Sequence, residues 1–187
     1  LGSAAGGLFT GLAVIGLFTF LPTLLQRTMG LSPIATAWLF LLWSGLSFLV
    51  ALQVKRLPGR VAPRHQLALG FALHAGAVLT LLGAVGSGSW TRVLPGLMIG
   101  GVGSGLLNAA LPLVAVESVP AERAAMGSGA QQTFRYIGSC AGVALTIALA
   151  TSGGPGSLAH GADVAAVVSA GLALVGAVAV LVLRERA

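Results

Sequence analysis

Two long apolar runs lying back to back constrain this chain more than any other feature. The first, GLMIGGVGSGLLNAALPLVAVESV from Gly96, and the second, GSGAQQTFRYIGSCAGVALTIALA from Gly127, are separated only by the polar turn PAERAAM. Roughly 20 helical residues cross the roughly 30 Å hydrocarbon core of a bilayer. Both runs reach that length, so they predict a transmembrane helical hairpin. Glycines recur four residues apart, as Gly96 and Gly100, Gly101 and Gly105, and Gly138 and Gly142. Each pair leaves a groove free of side chains on one helix face, where a neighbouring helix can approach closely.

Composition agrees. With 56% hydrophobic and only 7% charged residues among 187, the chain does not fit a small soluble globule. A net charge of +6 would point to nucleic acid in a soluble domain, but here the basic residues occupy gaps between apolar spans. They therefore read as topology signals, and no nucleic-acid partner is expected. The single cysteine, Cys140, offers neither a disulfide framework nor metal-ligand spacing, and no metal or cofactor is expected. The chain opens on Leu1 and enters an apolar run without a basic segment ahead of it. That pattern predicts a fragment and not a signal peptide.

Six spans are expected, over residues 4–26, 34–54, 66–85, 94–117, 128–151 and 164–183, forming one all-α bundle over 1–187. Pro22 is expected to kink or end the first span. Ser32 and Pro33 read as an N-cap followed by the first helical residue of the second. The most charged stretch, KRLPGRVAPRH from Lys55, is excluded from lipid, and Trp90 stands where an interfacial anchor would lie. TSGGPGSLAHGAD from Thr151 reads as a flexible loop. Lys55, Arg56, Arg60, Arg64, Arg123, Arg184 and Arg186 fall on one side of such a bundle, and only Arg27 and Arg92 on the other. Both termini are therefore expected to face the cytoplasm.

Three sets of residues carry a family resemblance. They are LPTLLQRTMGLSPIATA from Leu21, PGRVAPRHQLALG from Pro58, and the central hairpin with VPAERAAMGSGAQQTFRYIGSCAGVAL. Together they resemble the C-terminal half of a major facilitator superfamily transporter, closest to the fourteen-helix drug:proton antiporters. Leu25, Gln26, Gly30, Ser32 and Pro33 match that branch's helix end and turn, and Arg60 and Arg64 match its cytoplasmic loop motif. Val119, Pro120, Gly127, Ser128, Gly129, Thr133 and Arg135 match the hairpin. Ala62 replaces a usual Gly of the loop motif, and Gly59 stands where its stronger copy has Asp. Trp38 and Trp43 replace common Gly and Pro positions.

The resemblance implies a multi-pass cell-membrane protein that exports small amphiphilic or cationic organic molecules, with protons as coupling ion. An N-terminal transporter half and the lipid bilayer would be its partners. Such transporters place the substrate near the bilayer midplane, between two rocking halves.

Ionisable and polar groups inside the spans are the functional candidates, because lipid makes them costly. Asn108, Gln131, Gln132 and Arg135 are the expected pathway residues. If the hairpin turn centres near Ala121 and Glu122, reflection brings Arg135 to about the depth of Asn108, although a snorkelling Arg135 reaching the cytoplasmic surface is the alternative. His74 reads as a neutral imidazole bonded to a neighbouring helix, and Glu117 as an interfacial carboxylate near Arg123. Phe side chains, Trp38, Trp43 and Tyr136 are the aromatic groups available to a cation. No carboxylate lies at mid-span, so a proton-coupling acid is expected outside this chain. No enzymatic activity is expected. Ser104 within GVGSG resembles a rhomboid-type serine protease, but Val102 replaces the first Gly of its motif and the sixth span has no histidine. A half-size membrane protein that dimerises or acts as a scaffold fits the glycine faces as well as a transporter does.

Overall fold

A computed structural model of the protein describes residues 2–54, 61–152 and 158–183. Six helices account for nearly all of them. Helix α1 runs over Gly2–Met29, α2 over Pro33–Val54, α3 over Pro63–Thr80, α4 over Leu94–Glu117, α5 over Ala124–Thr151 and α6 over Leu158–Val182. All but α3 are long and apolar enough to cross a membrane. Helix α3 has only 18 residues and opens on Arg64, His65 and Gln66, so six helices are present but five meet that standard. The fold is all-helical among the described residues, as a bilayer requires of a chain that must satisfy its own backbone.

Helix ends follow local chemistry. Ser32 Oγ accepts the Ala35 N–H at 3.2 Å, with Pro33 in the first helical position, so α2 starts at the expected cap. Gly30, at φ 65°, closes α1 in the left-handed conformation that only glycine adopts without cost. Three boundaries differ from expectation. Helix α1 continues through Pro22 and runs three residues past the expected end at residue 26, to Met29, with Leu21, Leu24 and Leu25 on either side of the proline buried against neighbours. The third helix starts earlier, with Pro63 as its first residue, and stops at Thr80, after which Leu81–Ser87 forms turns around Gly83 at φ 68°. Helix α6 begins at Leu158, so the LAHGAD expected in a loop is helical. In its second turn, Asp163 Oδ1 accepts the Gly83 N–H at 2.9 Å from the turn that follows α3.

Helices α1 and α4 are the most enclosed. Helix α3 lies along α4 and α6, α2 rides on α4, and α5 packs along α1. Phe71, Leu107, Leu111 and Ala173 form one apolar core, and Leu17, Leu21, Val78 and Leu97 another. The outer faces are equally apolar. Ile34, Trp38 and Phe48 of α2 and Val167, Val175 and Val178 of α6 are all exposed, an arrangement suited to lipid. Trp90 is half exposed in the turn before α4.

Backbone contacts through glycine hold the bundle. On α4, a Cβ added at Gly101 would stand 2.8 Å from the Trp43 carbonyl oxygen, and one at Gly105 2.6 Å from that of Ser47. Gly96 and Gly100 face Leu81 and Phe18 instead, so α4 presents glycine in more than one direction. The closest approach is between α1 and α5. Gly7 lies on the Gln131 carbonyl, Gly11 on that of Arg135, and Gly16 on Gly142, while Gly138 and Gly142 lie on the Leu8 and Leu12 carbonyls.

Gly11 and Gly16 are five residues apart, a spacing that an α-helix at 3.6 residues per turn would splay onto different faces. A π-helical turn at Thr10–Ile15 corrects this, since its wider i→i+5 closure sets residues five apart nearly above one another. The Gly16 N–H reaches the Gly11 carbonyl accordingly. Ser169 Oγ of α6 donates to the Ala13 carbonyl within this turn at 2.8 Å.

Side chains placed at this seam should therefore break it. Gly138→Val is expected to cost about 2–3 kcal/mol or more, because the added atoms meet backbone that cannot rotate away. Gly129→Ala on the same helix meets nothing within 4 Å and serves as the control. Thermal unfolding of the purified protein in detergent should separate the two variants; equal melting temperatures would show that α1 and α5 are not in backbone contact.

Candidate functional site

Halfway along the bundle, α1, α2, α4 and α5 part around a cleft of about 320 Å³. Its depth follows from the helices that line it. The π turn of α1 lies near that helix's middle, as do Ser104 and Asn108 in the 24-residue α4 and Arg135 in the 28-residue α5. Arg135 stands about 17 Å from the start of α5 at 1.5 Å per residue.

One wall is aromatic. Phe18 of α1 stacks on Trp43 of α2 with ring centroids 5.3 Å apart and planes at 29°, and Phe40 meets Phe18 edge-on at 6.5 Å. Gly100 makes room for this wall, because a Cβ there would stand 2.9 Å from Phe18 Cζ. The polar part of the lining comes from Thr10 and Thr19 of α1, Ser104 and Asn108 of α4, and Arg135 of α5. Three polar atoms of this lining are buried without a hydrogen-bond partner: Trp43 Nε1, Ser104 Oγ and Arg135 Nε. Two are N–H donors and the third is a hydroxyl. None of the residues lining the cleft is acidic.

Asn108 and Arg135 thus line the same cleft. Gln131 does not line it: it is buried one turn before Arg135, against Gly7, and its Nε2 lacks a partner. Gln132 is half-buried and also outside the lining. Trp38 and Tyr136 are exposed on the outside of the bundle, so Phe18, Phe40 and Trp43 are the members of that aromatic set which reach the cleft. His74 is fully buried behind Phe18, ring centroids 5.3 Å apart. Neither of its nitrogens meets a partner in hydrogen-bond geometry, although the Ala13 carbonyl lies close by. The neighbouring-helix group expected beside His74 is thus the Ala13 carbonyl of α1. Since Ser104 Oγ is also unpartnered, no serine–histidine pair exists between these residues.

A second cleft, of about 280 Å³, opens at the end of the bundle where α3 begins and α4 finishes. Arg64 and Glu117 both line it, so Glu117 faces the loop motif's second arginine. Arg60, the motif's other arginine, lies outside the described residues, as do Lys55, Arg56, Arg184 and Arg186. Among the described residues no three His, Cys, Asp or Glu side chains gather in a way that would hold a metal ion.

Phe18, Phe40, Thr10 and Thr19 were not singled out by sequence reasoning. Thr10, Val14 and Phe18 do recur every fourth residue on α1, a stripe that a search for one mixed polar and aromatic face would have found.

Comparison with known proteins points the same way. Residues 3–143 match the family model of the Major Facilitator Superfamily. The Multidrug resistance protein Stp of Mycobacterium tuberculosis, in strains CDC 1551 / Oshkosh and ATCC 25618 / H37Rv, is 33% identical over 133 residues. That alignment covers 71% of this chain and 25% of the relative, so the chain spans about a quarter of the length of the curated relatives it matches. No solved structure matches it. Apolar helices packed through glycine around a mid-depth polar cleft, in a sequence matched by that model over most of its length, make this chain a member of the Major Facilitator Superfamily.

Proposed function

We propose that this chain is the C-terminal bundle of a secondary transporter that exports small amphiphilic organic molecules across the cell membrane, in the manner of the fourteen-helix drug:proton antiporters. The observation that carries this reading is the mid-depth cleft lined both by the stacked rings of Phe18 and Trp43 and by Asn108 and Arg135. An amphiphile needs both surfaces, apolar area for its body and hydrogen-bonding groups to orient its head. The multidrug-resistance relative supports the same class of substrate.

One bundle supplies one wall of such a pathway, and alternating access comes from its rocking against a second. The partner is an N-terminal half, which would close the open side of the cleft. Proton coupling needs a carboxylate or imidazole that changes charge during the cycle. Among the described residues Glu117, Glu122 and Asp163 lie near helix ends or in turns, so a coupling carboxylate belongs to the rest of the protein. Both termini of the bundle face the cytoplasm in this arrangement, as the surplus of basic residues on that side requires.

Two experiments test the reading. The complete protein, expressed in cells stripped of their own efflux pumps, should lower accumulation of amphiphilic dyes, and a protonophore should abolish the effect. Arg135→Ala should reduce efflux about tenfold or more while leaving the protein inserted and abundant, as loss of a charge-assisted contact does; unchanged efflux would place Arg135 outside the pathway. In a Cys140→Ala background, Asn108→Cys should react with a membrane-impermeant thiol reagent, whereas Val178→Cys should not. Equal inertness at both positions would mean that water does not reach the cleft.

A further inference from the structure

Given the cleft as the substrate pathway, we infer that its resident ligand carries an anionic head, a carboxylate or an acidic phenol, on Arg135 and an aromatic or aliphatic body against Phe18 and Trp43. This narrows the substrate class to acidic amphiphiles and departs from the cationic molecules that family resemblance suggested.

Three observations converge. First, Arg135 brings the only formal charge to the cleft, and no acidic residue lines it. A guanidinium does not shed its proton, so the positive charge stays at mid-membrane whatever the pH. Second, the unmet hydrogen-bonding capacity is weighted towards donors. Arg135 Nε and Trp43 Nε1 are buried without partners, and both have only an N–H to give. Ser104 Oγ, also unpartnered, can give a third. Third, the lining suits a molecule with two ends, because the stacked pair of Phe18 and Trp43 shares the cleft with Arg135 and Asn108. An organic cation would set its charge against Arg135 and find no carboxylate to offset it. An acid would place its oxygens on a planar fork of donors that matches them.

The same carboxylate chemistry has a second source, an Asp or Glu from the other half of the protein that pairs with Arg135. The two sources predict opposite selectivities, which three probes of one size and shape distinguish: 2-naphthoate, 2-naphthamide and (2-naphthyl)methylammonium. Binding of each to the complete protein, purified into lipid nanodiscs, is measured by titration calorimetry. An acid-binding cleft holds naphthoate about tenfold or more tighter than the ammonium probe. Arg135→Gln removes that preference and leaves naphthamide within about twofold, while Arg135→Lys keeps part of it.

If the ammonium probe binds tightest, Arg135 is already neutralised by the protein's own carboxylate and the inference is overturned. It is equally overturned if Arg135→Gln leaves naphthoate affinity intact, or if naphthoate does not bind at all. Should Arg135→Gln fail to accumulate, the ranking of the three probes on the unaltered protein still decides. Failure of the transport reading looks different: naphthoate binds as expected, yet the protein exports nothing from cells.

Discussion

The close seating of α1 on α5 is the contact from which the central cleft follows. In lipid, helices gain nothing by hiding apolar surface from each other, since the tails around them are as apolar as leucine. What remains is van der Waals contact, which rises steeply as backbones approach. Gly7, Gly11 and Gly16 on one side, and Gly138 and Gly142 on the other, remove the side chains that would hold the two helices apart. Gly11 rests on the carbonyl of Arg135 itself. The residue whose side chain charges the cleft is thus pinned by its backbone to the π turn of α1, and Thr10 and Val14 of that turn are its neighbours in the cleft wall.

That seating gives the π turn a structural reason that does not depend on function. A regular α-helix would have turned Gly16 away from α5 and put Val14 or Ile15 at the contact. One wide turn keeps Gly11 and Gly16 in line and carries the glycine groove past the middle of the membrane. Its cost is a disturbed ladder of backbone hydrogen bonds, and within the turn Ser169 of α6 reaches across to the Ala13 carbonyl. Three helices are therefore tied together at the depth where the cleft lies.

Much of this was legible in the sequence, and the remainder was not for specific reasons. Span positions followed from apolar length, and the start of α2 from Ser32 and Pro33, because both depend on local chemistry. The common depth of Asn108 and Arg135 followed from reflecting the chain about the turn near Ala121. The π turn was not legible: Gly7, Gly11 and Gly16 look like ordinary near-helical spacing until α5 fixes which face they must share. Phe18 and Trp43 come from different helices, and nothing in either span says that they stack. The contact of Asp163, near the start of α6, with Gly83 joins two residues 80 positions apart that no local pattern connects. The end of α3 at Thr80 was hidden because Leu81, Ala84 and Val85 continue the apolar run although the chain has already turned, and all three are buried there.

Burial of charge and burial of apolar surface pull in opposite directions in this bundle, and the cleft is where both are settled. Aliphatic side chains stand outward on α2 and α6, where lipid accepts them, while Arg135 and the unpartnered donors of Trp43 and Ser104 turn inward. A single Arg at this depth is tolerable only with water or an anion beside it. The bundle's own acidic side chains do not serve, since Glu117 faces Arg64 at the far end and Asp163 holds Gly83. The same packing that leaves Arg135 Nε without a partner also keeps α1, α2, α4 and α5 apart around it. Glycine seams fix α1 against α5 and α4 against α2, and the Phe18–Trp43 stack braces the remaining side. An open-sided, donor-rich cleft midway along the bundle is the consequence, and its charge balance has to come from something that enters it or closes over it.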